Sequence, residues 1–406
     1  MQPPIFAANR CACFFLIAVI THSWGGNVAA TPLRLDVFQG PVVSSQRMVG
    51  LGGAFIGVAD GAEGQSSNPA AFAVRSPFFG NTWFDWDFAL SAYSVVGKND
   101  IDMSQVKRLD SAQLVQFGFN LKFGRFGVGL HTSGQQYGMH RVDSDGIERH
   151  YDFSPNFGGF GFGYAWFDGE LVVGGLLSVG SADISATKTA APVKLTSDLK
   201  FHQIGTLYAP RDRPWRFGTM LQLPVTMEER NQLNAVQKTT FALGGMPIPD
   251  AVVMPWQAGV GVSYMFGERP SNLRPSYGTW PLPDDVMHER HIPRQYVLLA
   301  ADLVLIGPAA DAFGVQPFLA NAPLASGRSA VASARFGVES EILDHRLTVR
   351  TGSYFEPSRY DDRLGRWHWT GGGDVRCTVV WDWRISWVFD VAPDYTNTAI
   401  GFGLWH

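Results

Sequence analysis

The sequence predicts an all-β protein, a transmembrane antiparallel β-barrel of about fourteen strands. Three observations point there. The chain opens with an export leader. It is rich in glycine and aromatic residues (45 Gly, 29 Phe, 13 Trp) with only 17% charged residues, yet beyond the leader it has no apolar run long enough for a membrane helix. And its hydrophobic residues alternate with period two over many segments.

Arg10 is the only charged side chain before residue 34, and Cys11 to Ile20 forms an apolar core. Val28-Ala29-Ala30 then places small residues at the positions a signal peptidase reads. Residues 1–30 are therefore expected to be a signal peptide, with the mature chain starting at Thr31. About ten apolar residues cannot span the ~30 Å hydrocarbon layer as a helix, and no small-residue lipobox precedes Cys13. Cleavage would leave Cys377 as the sole cysteine, so no intrachain disulfide is expected in an oxidising compartment. The net charge of −4 gives no reason to expect a nucleic-acid partner.

The alternation is plain in Val115-Gln116-Phe117-Gly118-Phe119-Asn120-Leu121-Lys122-Phe123, whose faces are Val/Phe/Phe/Leu/Phe and Gln/Gly/Asn/Lys. Segments 384–391, 333–339 and 399–404 repeat it. A soluble sandwich would also alternate, but its inner face would be apolar and its outer face charged. Here the second face mixes Gly, Ser and Asn with scattered charges, as a water-lined lumen allows, while the large apolar face suits lipid. Trp83, Trp86, Trp166, Trp215, Trp367, Trp369, Trp381 and Trp383 fall near segment ends, where interfacial aromatic girdles lie. The strands are placed near 81–97, 112–123, 125–140, 151–167, 170–186, 197–209, 214–228, 254–267, 294–306, 330–343, 346–356, 367–378, 383–392 and 397–406. Short turns, such as Gly124-Arg125 and Asp168-Gly169, alternate with longer connections at 98–111, 187–196, 229–253 and 307–329. The proline-rich stretch 268–293 breaks that rhythm: it is either an insertion on the short-turn side, the preferred reading, or a further hairpin after which the register flips.

Residues 31–80 do not alternate. They carry Arg47, Gly50-Leu51-Gly52-Gly53-Ala54, Ala59-Asp60 and Asn68-Pro69-Ala70. In this order and spacing the motifs resemble the N-terminal hatch of the FadL/TodX family, outer-membrane transporters of long-chain fatty acids and hydrophobic compounds. Met254 to Tyr264 looks like that family's eighth strand, Arg346 to Pro357 like its eleventh, and His368 to Gly373 like the next. The terminal Leu404-Trp405-His406 departs from the pattern, since many such barrels end in Phe. The resemblance implies a monomeric barrel (81–406) whose lumen is plugged by a hatch (31–80). It implies passive diffusion of a hydrophobic ligand with hatch rearrangement, and lateral exit at a kinked strand. The hatch residues it singles out are Arg47, Gly50, Gly52, Gly53, Asp60, Asn68, Pro69 and Ala70. Outer-membrane lipid, lipopolysaccharide and the barrel-assembly machinery are the other expected partners. For ligand contact, Phe241, Leu243, Met246 and Ile248 form an apolar stretch in a predicted outer loop, which either meets ligand or packs on its neighbours. Arg335 and Arg350 are the cations expected in the lumen for a carboxylate.

Catalytic and metal readings find little support. Gly50-Leu51-Gly52-Gly53 follows no strand and lacks the third glycine of a dinucleotide loop. His288-Glu289-Arg290-His291 brings the second histidine one residue early for a helical zinc pair. Asp143-Ser144-Asp145-Gly146 has calcium-like spacing but reads more simply as a turn. No enzyme activity, cofactor or metal is expected. The alternative to transport is a structural or secretion-complex barrel on the same scaffold.

Overall fold

The computed structural model describes residues 33–404 except 39, 75–82, 96–98, 107–108, 188–192, 212, 230–247, 268–271, 273–294, 345 and 378–382. The leader, Phe241, Leu243, Met246, Trp381 and the 288–291 motif lie outside the described residues.

Twenty strands form one sheet: β1 (Arg34–Asp36), β2 (Phe84–Val95), β3 (Ser111–Phe123), β4 (Phe126–Val142), β5 (Glu148–Trp166), β6 (Leu171–Ala186), β7 (Val193–Thr196), β8 (Lys200–Tyr208), β9 (Trp215–Gln222), β10 (Val225–Glu229), β11 (Ala251–Met254), β12 (Gln257–Gly267), β13 (Tyr296–Ile306), β14 (Ala312–Gly314), β15 (Ala325–Ser326), β16 (Val331–Leu343), β17 (Leu347–Glu356), β18 (Arg366–Arg376), β19 (Trp383–Ala392) and β20 (Tyr395–Leu404). Fourteen of them, namely β2–β6, β8, β9, β12, β13 and β16–β20, pair antiparallel in sequence order, and β20 returns to pair with β2, which closes the barrel. Closure leaves no unpaired edge, the condition for strands to cross a bilayer.

Side chains sort as the alternation requires. Along β3, Gln116, Asn120 and Lys122 are buried in the lumen while Val115 is exposed, and along β13, Leu299, Leu303 and Leu305 face outward. A band of exposed Phe, Leu, Val and Ile around the wall is where hydrocarbon would lie. At the short-turn end it is edged by aromatic contacts, Tyr164 on Trp166, Tyr208 on Trp215, Tyr264 on Phe266 and Trp383 on Phe402. Strands β4, β5 and β6 are 17, 19 and 16 residues long, well beyond the roughly 9–11 that a membrane strand needs. They project on the long-loop side.

Two details differ from the sequence reading. The segment read as one strand over 214–228 divides into β9 and β10 at Leu223-Pro224, because Pro224 has no N–H to donate to a ladder. The long-loop end also carries structure of its own. There β1 lies parallel between β11 and β14, while β7 pairs with β10 and β10 with β11. With the short helix α2 (Val315–Leu319), the second after α1 (Gln46–Gly50), these segments cover an apolar core that includes Leu35, Tyr151, Phe153, Met227 and Phe318.

A buried carboxylate fastens this cap. Asp102 accepts from Ser104 N at 2.9 Å, from Gln316 N at 3.2 Å and from the Tyr360 hydroxyl at 3.0 Å. Burial pushes its carboxyl up to about 6 from an ordinary 3.8. A carboxyl whose folded value is raised contributes stability below its unfolded value, and that contribution is lost as pH rises through about 6. Amide protection factors of residues 99–104 and 315–319, corrected for intrinsic exchange, are therefore expected to be higher at pH 4 than at pH 8. Asp102→Asn is expected to remove the difference.

Candidate functional site

Residues 33–74 run down the inside of the barrel from the long-loop end to the short-turn end, packed on inward-facing wall residues. Their descent is set by a short capped helix and two turns. Ser45 opens α1 by accepting from Met48 N at 3.3 Å. Gly52 and Gly53 then turn the chain at φ +61° and +76°, where a side chain would be strained. Gly52 also lies against the wall so closely that a Cβ there would sit 2.5 Å from the Phe336 carbonyl and 2.6 Å from Ser353 N.

Charge ties this segment to the wall. Arg47 forks onto Glu339, with Nε 2.9 Å from Oε2 and Nη2 2.8 Å from Oε1, and its Nη1 reaches Asp60 at 3.4 Å. Glu339 also accepts from Arg350 at 3.0 Å and from Tyr296 at 2.7 Å. Arg350 holds Asp374, Asp374 holds Arg384 at 3.2 Å, and Arg384 returns to Glu63 of the lumen segment at 2.5 Å. On the other side Asp60 pairs with Arg216 at 2.7 Å. Such buried pairs are stable only when the charges are met by hydrogen bonds, and here Arg47, Glu339 and Arg350 each make several. Asp302 offers one oxygen to two consecutive amides, Phe55 N at 2.7 Å and Ile56 N at 2.8 Å.

Asn68 anchors the lower end. Its side-chain oxygen accepts from Ala70 N at 3.0 Å, a local cap, and its Nδ2 donates to Ile56 O and to Thr206 O of β8, both at 2.9 Å. Asn68→Ala removes all three bonds. At roughly 0.5–1.5 kcal/mol for each bond, the segment is expected to lose a few kcal/mol of anchoring. Faster protease cleavage within 60–74 on a barrel that stays folded is the readout.

Of the expected ligand contacts, Arg350 is committed to Glu339 and Asp374. Ile248 is buried in the apolar core of the long-loop end, so it packs on its neighbours rather than facing outward. Arg335 stands apart. Its contacts are 3.4 Å bonds to Ser333 Oγ and Gly53 O, and it forms no ion pair among the described residues. It lines a lumen cavity of about 200 Å³ between Val37, Phe38, Gly40 to Val43, Met48, Ile56, Ser66 and Ser67 of the segment and inward residues of β4–β6, β8 and β9. The lining mixes Phe38, Phe157, Leu176 and Met220 with His131, Gln135, His202 and Gln222. A β-bulge makes part of it: the β6–β8 register shifts between Leu176 and Leu177, so that His202 and Gln203 both turn inward. Beside the cavity the β4–β5 ladder lapses between Gly134–Asn156 and Tyr137–Phe153, where Pro155 supplies no N–H.

Sequence reasoning had not singled out Glu63, Asp302, His131, His202, Glu356, His368 or Asp390. The imidazole of His368 sits 2.7 Å from Asp390 and 2.5 Å from Glu356. Both its ring nitrogens are occupied by carboxylates, so neither is available to activate a nucleophile. The 143–146 turn is a charge-paired loop, with Asp143 held by Arg141 and Arg149 at 2.7 and 2.6 Å and Asp145 by Arg149 at 2.7 Å. Among the described residues no group of three His, Cys, Asp or Glu side chains is arranged to hold a metal ion.

This architecture defines a class: a closed fourteen-stranded antiparallel barrel with an apolar outer band and with residues 33–74 inside the lumen. Among solved structures the chain shares the fold of the Pseudomonas putida toluene transporter TodX, at 12% identity over 90% of this chain and 100% of that one, TM-score 0.54. A second TodX structure gives 12% identity, 92% and 98% coverage and a TM-score of 0.53. A FadL homologue from Pseudomonas aeruginosa matches at 11% identity over 89% and 97%, TM-score 0.50. The resemblance read from the lumen-segment motifs is thus matched by the fold of the whole barrel. No family model and no curated protein matches the chain.

Proposed function

We propose that this barrel carries hydrophobic small molecules across the outer membrane, with residues 33–74 as the plug of its lumen. The observation that carries the reading is the partly apolar cavity between plug and wall, lying next to the interrupted β4–β5 pairing. A molecule seated there would touch both the element that must move and the seam through which it could leave sideways into lipid. Passage is passive, by diffusion coupled to rearrangement of the plug. Toluene transport by TodX supports the same class of cargo. Long-chain fatty acids belong to this class, but a cavity near 200 Å³ favours compact compounds, since an engineered cavity of about 150 Å³ in another protein holds benzene. Radiolabelled toluene should enter cells that carry the protein faster than cells that lack it. Equal rates for toluene, alkanes and oleate would contradict the proposal.

A further inference from the structure

The plug–wall cavity carries buried polar groups beside its apolar lining. His202 and Gln222 share one side-chain hydrogen bond, but His202 Nδ1, Gln222 Nε2 and His131 Nδ1 have no hydrogen-bond partner, and these three residues are at least nine-tenths buried. Leaving such groups unmet is costly unless a ligand meets them. Arg335 adds a guanidinium whose donors are only weakly engaged. In contrast, Arg47, Arg216, Arg350, Arg359, Arg366 and Arg384 each hold a carboxylate. The cross-strand neighbour of Arg335 is Asp302, whose charge acts on it without forming an ion pair: Oδ2 is held by the plug amides of Phe55 and Ile56, and Oδ1 has no hydrogen-bond partner. Phe157, Leu176 and Met220 supply apolar surface in the same space.

We infer that this cavity selects compact organic anions, single-ring aromatic carboxylates or short-chain acids, with Arg335 as the counter-charge and His131, His202 and Gln222 as hydrogen-bonding partners. The ring packs on Phe157, Leu176 and Met220, and the acid group lies on the guanidinium, whose planar fork matches a carboxylate. A toluene-sized hydrocarbon fits the same volume but leaves the polar groups unmet. Sites built to hydrogen-bond a ligand discriminate strongly against the analogue that lacks the polar group. This inference rests on the transport reading above, because it places the selected compound in the same lumen cavity.

The test is binding to the full-length protein in nonionic detergent, measured by calorimetry for benzoate, its neutral isostere methyl benzoate, and toluene. Benzoate is expected to bind at least tenfold more tightly than methyl benzoate. Arg335→Gln is expected to erase that preference, and Arg335→Lys to keep part of it. Equal affinity of the wild type for benzoate and its methyl ester overturns the inference whether or not the variants fold. So does a benzoate preference that survives Arg335→Gln. If toluene binds and benzoate does not, the anion selectivity fails while hydrophobic transport stands. If no compound binds or enters cells, both readings fail.

Discussion

Glu339→Ala is expected to destabilise the lumen segment by about 3 kcal/mol, at the low end of the cost of breaking a buried ion pair. Glu339 is fully buried and accepts from Arg47, Arg350 and Tyr296 at once. Its removal strands parts of two guanidinium groups in a space from which water is largely excluded. The loss stays near the lower bound because Arg47 keeps Asp60 and Arg350 keeps Asp374. The wall itself is held by ladder hydrogen bonds that the substitution does not touch, so the barrel should remain closed. Protease sensitivity of residues 45–60 together with denaturant unfolding in detergent separates the two effects. A change below about 0.5 kcal/mol, of the size typical for exposed pairs, would mean that the network does not hold the segment.

Deleting residues 31–76 is expected to turn a nearly closed barrel into an ion-conducting pore. With the segment gone, the space it fills would be lined by Asn120, Glu339, Asp374, Arg384 and Asp390, all lumen-facing and hydrophilic. Inward wall glycines such as Gly337 and Gly352, against which Leu51 and Gly52 now press, would face water. Planar-bilayer recordings of the two proteins give the measurement. Equal conductance would mean that the segment does not obstruct the lumen.

Most of the barrel was legible because period-two alternation is a local signal. Val115 to Phe123 declares both of its faces without knowledge of any neighbour, and β3 begins at Ser111 and ends at Phe123, within a residue of the reading. The break at Leu223-Pro224 was written in the sequence too, since a missing N–H acts where it stands. What was not legible depends on register. Alternation placed Arg335 and Arg350 alike on the lumen face, yet Arg350 opposes Glu339 across one ladder and Gly372 across the other, beside Asp374, whereas Arg335 opposes Tyr354 and Asp302. Committed and available arginines are told apart only once the strands are aligned. Arg47 carried a motif signal, but its partner Glu339 lies 292 positions away. Composition likewise could not tell an exposed apolar loop from one folded onto the end of the barrel, and Ile248 proved to be the second kind. The bulge that turns His202 inward arises from a register shift, which no single strand reveals.

Transport as proposed requires hydrophobic molecules to pass through the cavity between plug and wall. Ser133 on β4 lines that cavity and its hydroxyl makes no hydrogen bond among the described residues, so a bulky side chain there would fill the space without breaking a side-chain polar contact. The direct test is uptake of radiolabelled toluene by cells carrying equal amounts of folded wild-type protein or Ser133→Trp. Uptake by the variant is expected to fall to the level of cells without the protein. Wild-type rates in the variant would contradict passage through this cavity.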